Sequence, residues 1–227
     1  MRLYTPLIGA FALLNGIIFY MFILHLPFGA DAFLLSLAHW NKLSPMTEVA
    51  ALLGTVIALG GVLLTRFLDE QWKNRLLYWR WEYPHPAFNA FLTTRKQPFE
   101  TSELLAAFPE VRDSGFNHSM QLQTWHRLYP KYQDHPVILS TYSQWLMQRD
   151  FYLIALLFLL LFLLAWPVNR GIPFNLVSAY LFIYGAQFLF LLFMARRVGL
   201  RLVDNLLGVA LGVDQREDKG SGGRRTI

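Results

Sequence analysis

The chain has 227 residues, of which 55% are apolar and only 15% charged, against about 25% charged in a typical soluble domain. That balance points away from a soluble globular domain and toward a membrane protein. Zero cysteines exclude disulfide frameworks, thiolate metal sites and cysteine nucleophiles together.

Four apolar blocks set the order of elements: residues 7–26, 49–64, 151–166 and 174–195. A spanning helix needs roughly 20 predominantly apolar residues. The first and fourth blocks meet this directly, the second does so if it starts at Pro45 or Met46, and the third ("FYLIALLFLLLFLLAW") is uninterrupted. The first block, with Arg2 before it and "GADA" (29–32) after it, loosely resembles a cleaved signal. A signal's apolar core runs only about 7–15 residues, so a retained anchor is expected. Along span two, Ala50, Gly54, Ala58 and Gly61 share one face. Small residues at that spacing let helix backbones approach closely in lipid, either within one subunit or between two.

Between spans two and three, "TRFLDEQWKNRLLYWRWEY" continues span two as an amphipathic helix that stops at "PHP", because proline cannot extend it. "TSELLAAF" opens with Thr101 or Ser102 as its N-cap. "SMQLQTWHRLYPKY" reads as a further helix, and "HPVILSTYSQWLMQRD" as one that runs into span three. No stretch alternates for long, so strands are not expected. After span four, "RRVGLRLVDNLLGVALGV" carries a polar or small stripe at Arg197, Arg201, Asp204, Gly208 and Gly212. That pattern suits lying on the inner leaflet or packing on the soluble segment.

The expected architecture is an all-α membrane protein with four transmembrane helices and a small helical cytoplasmic domain between spans 2 and 3. Its divisions are 1–66 (helices 1 and 2 with their external connection), 67–150 (cytoplasmic domain), 151–195 (helices 3 and 4), 196–213 (amphipathic cytoplasmic helix) and 214–227 (a polar, glycine-rich tail expected to be disordered). Ten of the twenty Lys and Arg residues fall in 66–150 and seven in 196–227. Basic residues flanking spans stay cytoplasmic, and Arg66, Lys73, Arg75, Arg80 and Arg149 are the flanking ones. Both termini are therefore expected inside a bacterial inner membrane.

Inside the spans the polar residues are few, chiefly Asn15, His25, Asn175 and Gln187, and no Asp, Glu, Lys or Arg sits mid-span. Ion-coupled transporters usually place ionisable groups there. A pore can instead be lined by amides, for which Asn15 and Gln187 are the candidates; bonding between helices is the plainer role for both.

Two aromatic and basic runs stand out, "LLYWRWEYPHPAFNAF" (76–91) and "WHRLYPKY" (125–132). On a straight helix Trp79 and Trp81 lie about four turns beyond span two, past the headgroup belt. Interface anchoring then fails to explain them, leaving domain core or ligand surface. In the second role Arg75, Arg80, Trp125, His126, Arg127 and Lys131 would hold a nucleotide, since bases stack on aromatic rings and arginine grips phosphate with two prongs. His85, His118, His126 and His135 lack metal-ligand spacing, and no Walker loop or nucleophile elbow occurs. No metal, cofactor or enzymatic activity is expected.

The succession "HPAFNAF" (85–91), "WHRLYPKY" (125–132), "HPVILSTYSQWLMQRD" (135–150) and "RRVGLRLVDNLL" (196–207) resembles a family of uncharacterised bacterial four-span proteins. The layout is also similar to membrane effectors of bacterial anti-phage systems, of the SMODS-associated four-transmembrane or Hailong type. That likeness implies a cytoplasmic domain sensing a cyclic or linear oligonucleotide and homo-oligomeric spans that open an ion channel. The alternative is a non-enzymatic membrane scaffold or accessory subunit that docks a cytoplasmic partner such as a defence or secretion ATPase.

Overall fold

The computed structural model describes residues 4–38, 45–91, 97, 99–168 and 171–212. Every regular element among them is helical. In chain order these are α1 (Thr5–Ile23), α2 (Ala30–Ala38), α3 (Pro45–Phe67), α4 (Glu70–Tyr78), a 3-10 turn at Pro86–Asn89, α5 (Thr101–Ala107), α6 (Pro109–Asp113), α7 (His118–Tyr132), α8 (Pro136–Val168) and α9 (Phe174–Ala210). Among the described residues α1, α8 and α9 are long and apolar enough to cross a membrane; α3 counts as a fourth when taken with α4, from which it is bent by 107°. The tail expected at 214–227 and part of the connection expected between the first two spans lie outside the described residues.

The chain divides into two compact units. The first comprises Met1–Lys73 and Met147–Phe193. Its centre is a column of rings: Phe22 lies edge-on to Phe162 and Tyr180, at 4.8 and 5.4 Å between centroids, and Phe158 stacks parallel to Tyr184. Close helix approach comes from glycine. A Cβ added to Gly16 would lie 2.8 Å from the Gly54 carbonyl oxygen, and one added to Gly54 would lie 2.9 Å from that of Gly16. Gly61 faces Leu157 and Ile154 of α8. The stripe on α3 is therefore used within one chain at Gly54, Ala58 and Gly61; the side chain of Ala50 is outside the description. Facing outward are Leu52, Val56, Leu59 and Leu63 of α3 and Phe182 and Phe190 of α9. So many large apolar side chains facing outward suit lipid rather than water.

The second unit comprises Asn74–Leu146 and the chain from Met194 onward. Here the amphipathic segment after span four is no separate helix. It is the second half of α9, and Val198, Leu202, Leu206 and Leu207 are buried in this unit. The polar contacts that close the unit are specific. Gln121 accepts the Phe91 N–H at 3.1 Å and donates to the Phe116 carbonyl at 2.9 Å. Asn205 donates to the Thr141 hydroxyl at 2.9 Å. Asn117, which in "NHS" resembles a glycosylation site, caps α7 by accepting the Ser119 N–H at 2.9 Å.

One expected element differs. The helix continuing span two is interrupted at Leu68–Asp69. The Asp69 carboxylate accepts the Gln71 N–H at 3.2 Å, the side-chain cap of a new helix. That helix ends at Tyr78, well before Pro84. The terminator is Trp79, whose φ of 55° is left-handed, a rare conformation for a bulky residue.

Candidate ligand-binding cleft

The left-handed turn at Trp79 sends Arg80 away from the α4 axis. In the second unit Arg80 then lines a cleft of about 210 Å³ together with Tyr78, His85, Phe88, Asn89 and Arg196. The Arg80 guanidinium lies 3.8 Å from the Phe88 ring centroid. Arg196, on α9, donates through Nε to the Leu77 carbonyl at 2.9 Å, and its guanidinium lies 5.0 Å from the Trp79 ring centroid. Both cations are thus held by ring faces or a carbonyl, and among the described residues no carboxylate lines the cleft. Cations set on neutral partners keep their charge available for an anion.

His85 is oriented from two sides. Its Nδ1 accepts the Ala87 N–H at 3.1 Å, which leaves the neutral ring's proton on Nε2. Its ring packs 4.9 Å from Trp125, which is itself stacked on Tyr129 at 5.4 Å. Burial, reinforced by Tyr142, pushes the Tyr129 phenol up to about 12. Helix spacing also matters here: a Cβ on Gly199 would run into the Tyr78 hydroxyl and lie 2.9 Å from Trp145 Nε1, so α9 approaches this wall only because residue 199 has no side chain.

The six expected ligand residues separate. Arg80 is in the cleft. Trp125 is buried and supports His85 from behind. Arg75 is half-buried and lies 5.6 Å from the Trp81 ring centroid. His126 and Lys131 are exposed on α7. Arg127 pairs with Glu110 and, by its hydrogen bond, holds that carboxyl below the usual carboxylate range. Arg196 and Phe88 were not expected. Arg196 was counted among the orienting charges, and only its return through α9 to the "YWR" turn reveals another role. Among the described residues no group of three or more His, Asp or Glu is placed to hold a metal.

The first unit contains a cluster of charges. Arg149 is 0% exposed, Asp150 1% and Lys73 2%. Glu70 ties them together, with Oε2 2.6 Å from Arg149 Nη1 and Oε1 2.9 Å from Lys73 Nζ. Burial acts to raise the Glu70 carboxyl, but the charges and hydrogen bonds of Arg149 and Lys73 outweigh it and hold the pKa low. Deeper in the same unit Asn15 is fully buried. Its Nδ2 donates to the Phe11 carbonyl at 3.0 Å, and its backbone oxygen accepts from the Tyr184 hydroxyl at 3.4 Å. Asn15 Oδ1 and Gln187 Oε1 are buried with no hydrogen-bond partner among the described residues.

Comparison with known protein families, curated proteins and solved structures returned no match.

Proposed function

We propose that this is a four-span protein of the bacterial inner membrane, with both termini and residues 67–150 in the cytoplasm. It would work as a homo-oligomeric channel opened by a nucleotide or oligonucleotide, an effector of anti-phage defence rather than an enzyme. The observation that carries this reading is the pairing of Arg80 with Arg196 in one cleft whose described lining residues include no carboxylate. The cleft is smaller than the roughly 300–1,000 Å³ that drug-sized ligands occupy. It suits a phosphoryl group with part of its sugar, leaving a base outside.

Arg196 belongs to α9, the same helix whose first half is membrane-length and apolar. A ligand that holds Arg196 differently in two arrangements of α9 shifts the balance between them, since only differential affinity moves an equilibrium. The unpaired carbonyl oxygens of Asn15 and Gln187 supply the conducting side of the proposal, because a buried acceptor without a donor costs about 1–3 kcal/mol and water or an ion would relieve it.

The test is ion flux from liposomes carrying the full chain, with and without cyclic and linear oligonucleotides. We expect flux with at least one of them, and its loss in Arg80→Ala and Arg196→Ala. Absence of flux and of binding for all of them overturns the reading. The alternative, a scaffold docking a cytoplasmic ATPase, draws on Trp81, which is 73% exposed; a stoichiometric protein partner retained on purification would favour it.

A further inference from the structure

The lining of the Arg80–Arg196 cleft lies wholly within the second unit, and its charge comes from two guanidiniums. Arg80 sits over the ring of Phe88. A ring face accepts no conventional hydrogen bond, so that contact leaves the Arg80 N–H donors unspent. Arg196 gives its Nε to the Leu77 carbonyl and keeps the two Nη groups, a paired edge that fits two oxygens of one phosphoryl group. Among the described residues nothing of opposite charge lines the same space.

Charge and shape then choose between classes of phosphate. A phosphomonoester carries about −1.5 to −2 at pH 7, whereas each phosphodiester carries a single negative charge. Arginine stays protonated throughout, so two arginines match a monoester, and a diester would leave one of them without a counter-charge. A monoester is also terminal: one bond joins it to the rest of its molecule, and three oxygens remain to accept hydrogen bonds. A diester carries a nucleoside on either side. The cleft, at about 210 Å³, is below the roughly 300–1,000 Å³ of drug-sized sites. It admits the end of a chain and has no room for two nucleosides flanking one phosphorus. Asn89, exposed in the same lining, has an amide suited to a sugar hydroxyl.

We infer that the Arg80–Arg196 cleft recognises a terminal phosphomonoester, so that the ligand is a linear nucleotide or oligonucleotide with an end phosphate and not a cyclic one. The inference rests on the reading of this cleft as a nucleotide site.

The test is isothermal titration calorimetry on the full chain in detergent micelles. The probes are the dinucleotides pApA and ApAp, phosphorylated at the 5′ or the 3′ end, ApA with no end phosphate, cyclic di-adenosine monophosphate, and glucose 6-phosphate, a monoester without a nucleoside. The expected result is that pApA or ApAp binds at least about tenfold more tightly than ApA and the cyclic compound, the effect of one charge-assisted hydrogen bond. Arg80→Gln and Arg196→Gln should each remove that margin. Arg80 is exposed, so its variant keeps the fold, which circular dichroism checks. A cyclic compound or ApA that binds as tightly as the end-phosphorylated dinucleotides overturns the inference and leaves the nucleotide reading in place. A margin that survives both substitutions overturns it as well. Glucose 6-phosphate binding as tightly as pApA and ApAp supports the monoester chemistry but overturns the nucleotide as its source. Binding of none of the probes overturns both.

Discussion

A guanidinium with no exposed surface is tolerated only where its charge is met, because desolvating an ion costs several kcal/mol even after relaxation. Arg149 meets that condition through Glu70, which also serves the buried Lys73. Changing Glu70 to Gln removes one negative charge from beneath two buried cations and leaves Asp150, whose Oδ1 is 4.0 Å from Arg149. Breaking a buried pair costs about 3–5 kcal/mol; the half-exposure of Glu70 puts this one toward the lower end. The pH dependence follows from the sign of the shift. The Glu70 pKa is lowered from its usual value of 4.5 in the folded chain, so its contribution is present at neutral pH and is lost as pH falls through the folded value. Thermal unfolding in detergent, followed by circular dichroism, should show a gap between wild type and Glu70→Gln that is widest near pH 7 and narrows below about 4.5. A gap unchanged down to acid precipitation refutes the pairing.

Between α1 and α3 two glycines meet backbone to backbone, and this distinguishes them from other glycines on the same helices. Gly60 of α3 has nothing near a would-be Cβ, so Gly60→Ala should be neutral or stabilise by up to about 1 kcal/mol through helix propensity. Gly54→Ala forces the helices apart and should destabilise by about 1–3 kcal/mol. The order of apparent Tm, Gly60→Ala above Gly54→Ala, checks this in one experiment. Periodicity made the small-residue face visible but not its partner, because spacing is the same whether a neighbour belongs to this chain or another. The break before α4 was harder to see. The apolar pattern runs on from "LLTRF" through "WKNRLLYW", and amphipathic continuity masked the one local signal, Asp69 followed by Glu70 and Gln71, which is how a helix begins. The caps elsewhere are mixed: α7 starts beside Asn117 as its chemistry dictates, whereas α5 starts after Glu100 rather than after Thr101 or Ser102.

At the scale of the molecule, hydropathy reached further than site chemistry did. Membrane-length helices and the absence of strand patterns could be read from residue order alone, since one apolar block of sufficient length is a local property. The cleft could not be read that way. Arg80 and Arg196 are separated by more than a hundred positions, and only the return of α9 into the second unit places them together. For the same reason the sequence around Arg127 suggests a ligand residue, whereas the fold sets Glu110 beside it. What the functional proposal needs most is sidedness, and this depends on charge placement rather than on contacts. Positively charged flanks are retained in the cytoplasm; the 66–150 segment holds ten Lys and Arg residues. The cysteine-free background allows a direct check. His126→Cys, exposed on α7, and Asp31→Cys, exposed on α2, are treated with a membrane-impermeant maleimide in intact spheroplasts and in inverted vesicles. Position 31 should react in spheroplasts and position 126 only in inverted vesicles. The reverse pattern would place the cleft outside the cell, where no internal nucleotide signal could reach Arg80 or Arg196.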